Sequence, residues 1–142
     1  MNSAFENKLN GMLYSLLSWD QLAAFWIRLD TDAAWYLYAV GEAVPAQPAS
    51  SEQVKTFVRE IDLLLWRDHD ESYCGIVYAD DVNQPMFVKI YDPNNLGVSC
   101  GSSKVAILPG WVMSQVPPVD LKPLVVPAAS RKRWWQSLVG AQ

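Results

Sequence analysis

Two side chains in this chain carry the chemistry of nucleophilic catalysis. Cys100 lies in Ser99-Cys100-Gly101-Ser102-Ser103, a loop of small residues whose backbone N–H groups could converge on a developing oxyanion. His69 is the only histidine and therefore the only imidazole able to take the thiol proton. Asp92 or Asn94 would orient that ring. Linear spacing does not bring these groups together, and an ordinary loop cysteine is the simpler reading. A small thiol-dependent enzyme centred on Cys100 and His69 is accordingly the alternative expectation and not the leading one.

The same region offers oxygen, nitrogen and sulfur donors in Asp68, His69, Asp70, Glu71, Cys74 and Cys100. Zinc sites in a sequence are normally announced by paired ligands such as Cys-x-x-Cys or a second histidine. Neither occurs, so the acidic run reads as a solvated helix end, and no metal or cofactor is expected. Asp92-Pro93-Asn94-Asn95-Leu96-Gly97 could hold a small polar ligand through Asp92, Asn94 and Asn95. Those residue types are equally those of a turn, because Asp before Pro starts one and Asn and Gly tolerate positive φ. Phosphate-binding glycine motifs and the Gly-x-Ser-x-Gly elbow are missing, which removes support for nucleotide and esterase chemistry.

Aromatic side chains are the other chemical resource. Seven tryptophans in 142 residues can fill a core, but indoles are also favoured at protein interfaces. Trp19, Trp26, Trp111, Trp134 and Trp135 are the candidate anchors for a protein partner or a homo-oligomer. In the tail, Arg131-Lys132-Arg133-Trp134-Trp135 joins three cations to two indoles, a pairing suited to an anionic membrane, to RNA or to an acidic protein groove. The tail could equally fold back on its own body. All 15 acidic residues lie at or before Asp120 against seven Lys and Arg, a balance of −8, whereas the remainder carries four bases and no acid. An acidic body lacks the extended cationic face that nucleic acids require, so nucleic acid is an unlikely partner.

No apolar run approaches the roughly 20 residues of a membrane span, and the N-terminus lacks the pattern of a signal peptide. A cytoplasmic protein with two free thiols is expected. The length suits one domain over residues 1–126 followed by a basic, Trp-containing tail over 127–142.

Apolar spacing predicts a helix between Ser3 and Leu17, and Ser18 with Gln21 forms a capping box opening a second, with Trp19, Leu22, Ala23, Trp26 and Ile27 on its buried face. These two should pair antiparallel. Ala34 to Val40 reads as a strand. Ser50 and Gln53 cap the strongest helix, whose stripe runs through Val54, Phe57, Val58, Ile61, Leu64 and Leu65. Tyr73–Ala79 and Met86–Tyr91 are two strand-like runs around a turn-rich connection, a β-hairpin. Trp111 to Ser114 reads as a helical turn, and the prolines from Pro117 to Pro127 predict an irregular tail. The fold class is therefore α+β, with N-terminal helices packed on a small antiparallel sheet that contains a central β-hairpin. The expected function is that of a non-enzymatic binding or accessory protein using its aromatic-rich surface.

Overall fold

The sheet is built around a short segment buried on both faces. In the computed structural model, which describes residues 3–69, 76–93, 108–122 and 129–139, Trp111–Ser114 forms a strand with all four residues buried. It lies between Phe87–Ile90 on one side and Tyr36–Ala39 on the other, pairing antiparallel with both, so that Val112 faces Lys89 and Tyr38. Val77–Ala79 pairs with the far edge of Phe87–Ile90, and Tyr14–Ser15 caps that edge. In chain order these are β1 (Tyr14–Ser15), β2 (Tyr36–Ala39), β3 (Val77–Ala79), β4 (Phe87–Ile90) and β5 (Trp111–Ser114), and the sheet order is β1-β3-β4-β5-β2. The hairpin expected from residues 73–91 is β3 and β4. Trp111 to Ser114 departs from expectation, being a strand and not a helical turn. A strand covered on both faces has no polar alternation to reveal it.

Among the described residues four helices complete the architecture: α1 (Ala4–Leu9), α2 (Trp19–Arg28), α3 (Ser51–Asp68) and α4 (Ala129–Val139). Strand side chains alternate between faces, and the two sets gather different helices. Leu37, Ala39, Val77, Ala79, Val88, Ile90, Trp111 and Met113 form one core with Leu22 and Phe25 of α2, Phe57, Ile61, Leu64 and Leu65 of α3, and Trp135 of α4. On the opposite face Tyr38, Val40, Phe87 and Val112 meet Phe5 and Leu9 of α1. Among the described residues no helix is long and apolar enough to cross a membrane.

α3 forms as its sequence demands. Ser50 Oγ accepts from the Gln53 N–H at 3.2 Å and Gln53 Oε1 accepts from the Ser50 N–H at 2.7 Å, closing the capping box. Val54, Phe57, Ile61, Leu64 and Leu65 are the buried stripe. In α2 the Ser18 hydroxyl accepts from the Gln21 N–H at 3.0 Å, but Gln21 Oε1 reaches back to the Leu17 N–H at 2.9 Å, one residue further than a capping box. The buried face of α2 is also rotated from the expected one. Leu22, Phe25 and the cap residue Leu29 point into the core, Trp19 and Trp26 lie at its margin, and Ile27 is 84% exposed.

The first helix is shorter than its periodicity suggests. Ser3 and Glu6 form a capping box, Phe5 and Leu9 are buried, and the helix ends at Leu9. Gly11 follows, where a Cβ would stand 2.9 Å from the Asn7 carbonyl oxygen. Beyond it Met12 and Leu17 project into solvent and Tyr14–Ser15 joins the sheet. Because α1 packs on the opposite sheet face from α2, the expected antiparallel helix pair is not formed. At the other end α4 occupies part of the stretch expected to be irregular. The prolines stop at Pro127, and past that point nothing prevents a helix.

Ile61 is fully buried under α2 and the sheet. Ile61→Ala should lower the unfolding free energy by about 2–5 kcal/mol, read as a shift in denaturation midpoint without change in the m-value.

Candidate functional site

Where α3 ends, the chain assembles its densest group of polar and aromatic side chains. His69 is the C-cap of α3, its N–H donating to the Leu65 carbonyl at 3.0 Å. The imidazole is buried, with its ring centroid 5.7 Å from the Trp19 ring. Cys74 and Cys100 lie outside the described residues, as do Asn94 and Asn95. The structure thus places one member of the candidate thiol pair and only Asp92 of the candidate ligand loop. Among the described residues no group of three or more His, Cys, Asp or Glu side chains could hold a metal ion.

Asp92 is buried just past β4 and faces Arg131 of α4. Arg131 Nε donates to Asp92 Oδ2 at 2.9 Å and Nη2 to Asp92 Oδ1 at 3.0 Å, the bidentate fork that guanidinium and carboxylate geometry favours. The same Nη2 lies 2.7 Å from Oδ2 of Asp68, the last residue of α3. Arg67 pairs with Asp68 from the solvent side, Nε to Oδ1 at 3.0 Å. Gly110 makes room for this cluster, since a Cβ there would stand 3.2 Å from the Asp92 Cβ. Burial pulls the Arg131 guanidinium down, but hydrogen bonds to Asp92 and Asp68 outweigh it, so its pKa is raised. Asp68 is held below the usual carboxylate range, chiefly by the Arg67 hydrogen bond and then by Arg131, against an opposing contribution from burial.

The tryptophans divide sharply. Trp111 and Trp135 are buried, and Trp134 packs beside them, with its ring 5.4 Å from Trp111 and 6.4 Å from Phe57. Trp26 is half-buried and donates through Nε1 to Asp62 Oδ1 at 3.2 Å, tying α2 to α3. Burial pushes the Asp62 carboxyl up, partly offset by this bond. Trp19 stacks on Trp66 with centroids 4.3 Å apart. Trp66 is 55% exposed, and Leu63, one helical turn earlier on the same side of α3, is 59% exposed. Neither Leu63 nor Trp66 was among the residues that spacing singled out. Their signal lay in the polar side of α3, where two large apolar residues interrupt Lys55, Arg59, Asp62 and Arg67. Of the tail cations, Arg131 is buried, whereas Arg133 and Lys132 are exposed.

A second surface feature is an open cleft of about 520 Å³ between α1 and the β3–β4 connection, crossed by a Lys8–Asp80 ion pair at 3.1 Å. Asp80 also accepts from the Met86 and Phe87 N–H groups at 2.9 and 3.1 Å. Asp81 accepts from the Asn83 and Gln84 N–H groups at 2.8 and 3.1 Å, so both carboxylates are used in closing the turn. The cleft therefore presents no uncommitted acid pair, and the stacked indoles remain the more distinctive surface. Comparison with known proteins adds no relative: no protein-family model, curated protein or solved structure matches the chain.

Removing one carboxylate of the buried cluster leaves part of the Arg131 charge uncompensated. Asp92→Ala should cost about 3 kcal/mol of stability, and pairing it with Arg131→Met should cost less than the sum of the two single changes, a coupling measured by a double-mutant cycle. The pH dependence has a definite sign. A depressed carboxylate pKa contributes stability that is complete above the unfolded value near about 3.9 and is lost as pH falls through the folded value. Stability should therefore decline on acidification below about pH 4, and Asp68→Asn should flatten that decline in tryptophan-monitored unfolding.

Proposed function

We propose that the chain is a non-enzymatic, cytoplasmic binding or accessory protein that holds a protein surface, of a partner or of a second copy, against the exposed indole face of α2 and α3. The observation that carries this reading is the Trp19–Trp66 stack, centroids 4.3 Å apart, with Trp66 still more than half exposed beside an equally exposed Leu63. Isolated exposed apolar residues are ordinary, but adjacent large ones framed by charge are characteristic of interaction sites. Indoles are the commonest anchors of such sites because they offer a large rigid area at little entropic cost. The frame here is charged, with Asp62 and Arg67 of α3 and Asp20 of α2 around the apolar centre. The stack is also pre-ordered by the Trp26–Asp62 hydrogen bond on the neighbouring turns, which limits the ordering cost of binding.

Sedimentation velocity over a wide concentration range, together with affinity capture from the native source, tests the reading. Self-association or a stoichiometric partner is expected, and Trp66→Ala with Leu63→Ser should weaken it at least about tenfold while the melting temperature stays near that of the parent. A monomer at every concentration with no copurifying protein would sink the proposal, as would binding unaffected by that double change.

A further inference from the structure

We infer that docking of α4 masks a site for anionic lipid surfaces, so that the Arg131–Asp68–Asp92 cluster acts as a latch on membrane binding. Helical geometry puts Arg131, Trp134, Trp135 and Leu138 on one side of α4 and Lys132, Arg133, Gln136 and Ser137 on the other. The first side is the one turned to the body. Arg131 and Trp135 are buried, Trp134 packs on Phe57 and Trp111, and Leu138 adjoins the same core. To solvent the docked helix shows Lys132, which stands 3.9 Å from Glu42, with Arg133, Gln136 and Ser137, and Val139 at its end.

Indoles and a leucine on one side with cations flanking them are the groups by which a short helix can engage an anionic membrane interface. Arg131 fits too, because its long aliphatic stem lets the guanidinium reach headgroup phosphates while its base stays among apolar groups. The body and an anionic bilayer thus compete for one face of α4, each supplying acidic partners for Arg131 and an apolar seat for the indoles. RNA would need the cations but not Leu138 or a shared apolar face, so lipid is the better fit. The guanidinium and the Asp92 carboxylate are both buried, and the desolvation cost of such a pair consumes much of its attraction. Once undocked, a helix of 11 residues is marginal in water and is free to refold on another surface.

Flotation with vesicles of equal parts phosphatidylcholine and phosphatidylserine, read beside hydrogen exchange of residues 129–139, tests the latch in the full chain. Asp68→Asn with Asp92→Asn should deprotect α4 and raise vesicle partitioning about tenfold or more, since release adds a third cation and two indoles to the two cations already exposed. Arg131→Lys, which keeps net charge but loses the fork, should give a smaller gain in the same direction and carries the test if the double variant does not fold. The gain should vanish on vesicles of phosphatidylcholine alone and on adding Trp134→Ala with Trp135→Ala. Protection of α4 unchanged in both variants overturns the inference. So does a deprotected α4 without tighter vesicle binding, a gain that survives loss of both indoles, or a gain seen only with a single-stranded RNA oligonucleotide.

Discussion

The buried guanidinium of Arg131 joins three segments that are remote in the chain. It ties the last residue of α3 to the first polar residue after β4 and fastens α4 to both. Its contribution is to position rather than to stabilise. Moving an arginine and an aspartate out of water costs several kcal/mol per ion, and the return depends on satisfying the hydrogen-bonding geometry of each. Here the fork onto Asp92 and the third contact to Asp68 do so, and the absence of a side chain at Gly110 lets Asp92 approach. The cost of misplacing any member is therefore larger than the gain of having the set, which is the property of a device that specifies one arrangement. Trp134 and Trp135 follow from it, because the helix that carries Arg131 can seat its indoles on Phe57 and Trp111 only in that register.

The parts of the fold that were legible in the sequence are those whose determinants are local. Ser50 and Gln53 cap α3 with groups three residues apart, and the stripe from Val54 to Leu65 repeats at the helical period, so both boundaries and burial followed from spacing. The β3–β4 hairpin was legible for the same reason, since Asp80 and Asp81 close its turn through backbone groups at most seven residues away. What misled was periodicity shared by different structures. Leu9, Met12, Leu13, Leu16 and Leu17 have helical spacing, yet α1 stops before Gly11 and Leu16 is buried from an extended segment. Phe25 lies outside the stripe of Trp19, Leu22, Ala23, Trp26 and Ile27 that spacing predicts, yet with Leu22 it is the residue that α2 buries. The interior strand β5 had no alternation to show, being covered above by α4 and α3 and below by the Tyr38–Phe87 cluster.

The candidate site was legible only in its chemistry. Residue types marked Asp92, Arg131 and the tryptophans as candidates, but the separation of 39 positions between Asp92 and Arg131 holds no hint that they meet. Long-range pairing of this kind has no period and no cap. The composition likewise announced an indole surplus without saying which indoles the core would take. Five of the seven, Trp26, Trp35, Trp111, Trp134 and Trp135, are wholly or largely committed to packing or to an internal hydrogen bond.

The remaining pair owes its position to antiparallel packing of α2 on α3. Trp26 meets Asp62 while Trp19, seven residues earlier, meets Trp66, four residues later, so the two contacts sit about two turns apart along α2 and about one turn apart along α3. The hydrogen bond ties the two helices at one point of their seam, with the Asp62 carboxyl partly buried there and pushed up by that burial. Register in turn decides that Trp19 lands flat on Trp66 rather than in the core beside Leu22. With Trp19 stacked on the Trp66 ring and His69 packed against Trp19, Trp66 and the neighbouring Leu63 are left more than half exposed to solvent. Under the binding role proposed above, an apolar surface already ordered by that stack would lose little entropy on contact with a partner.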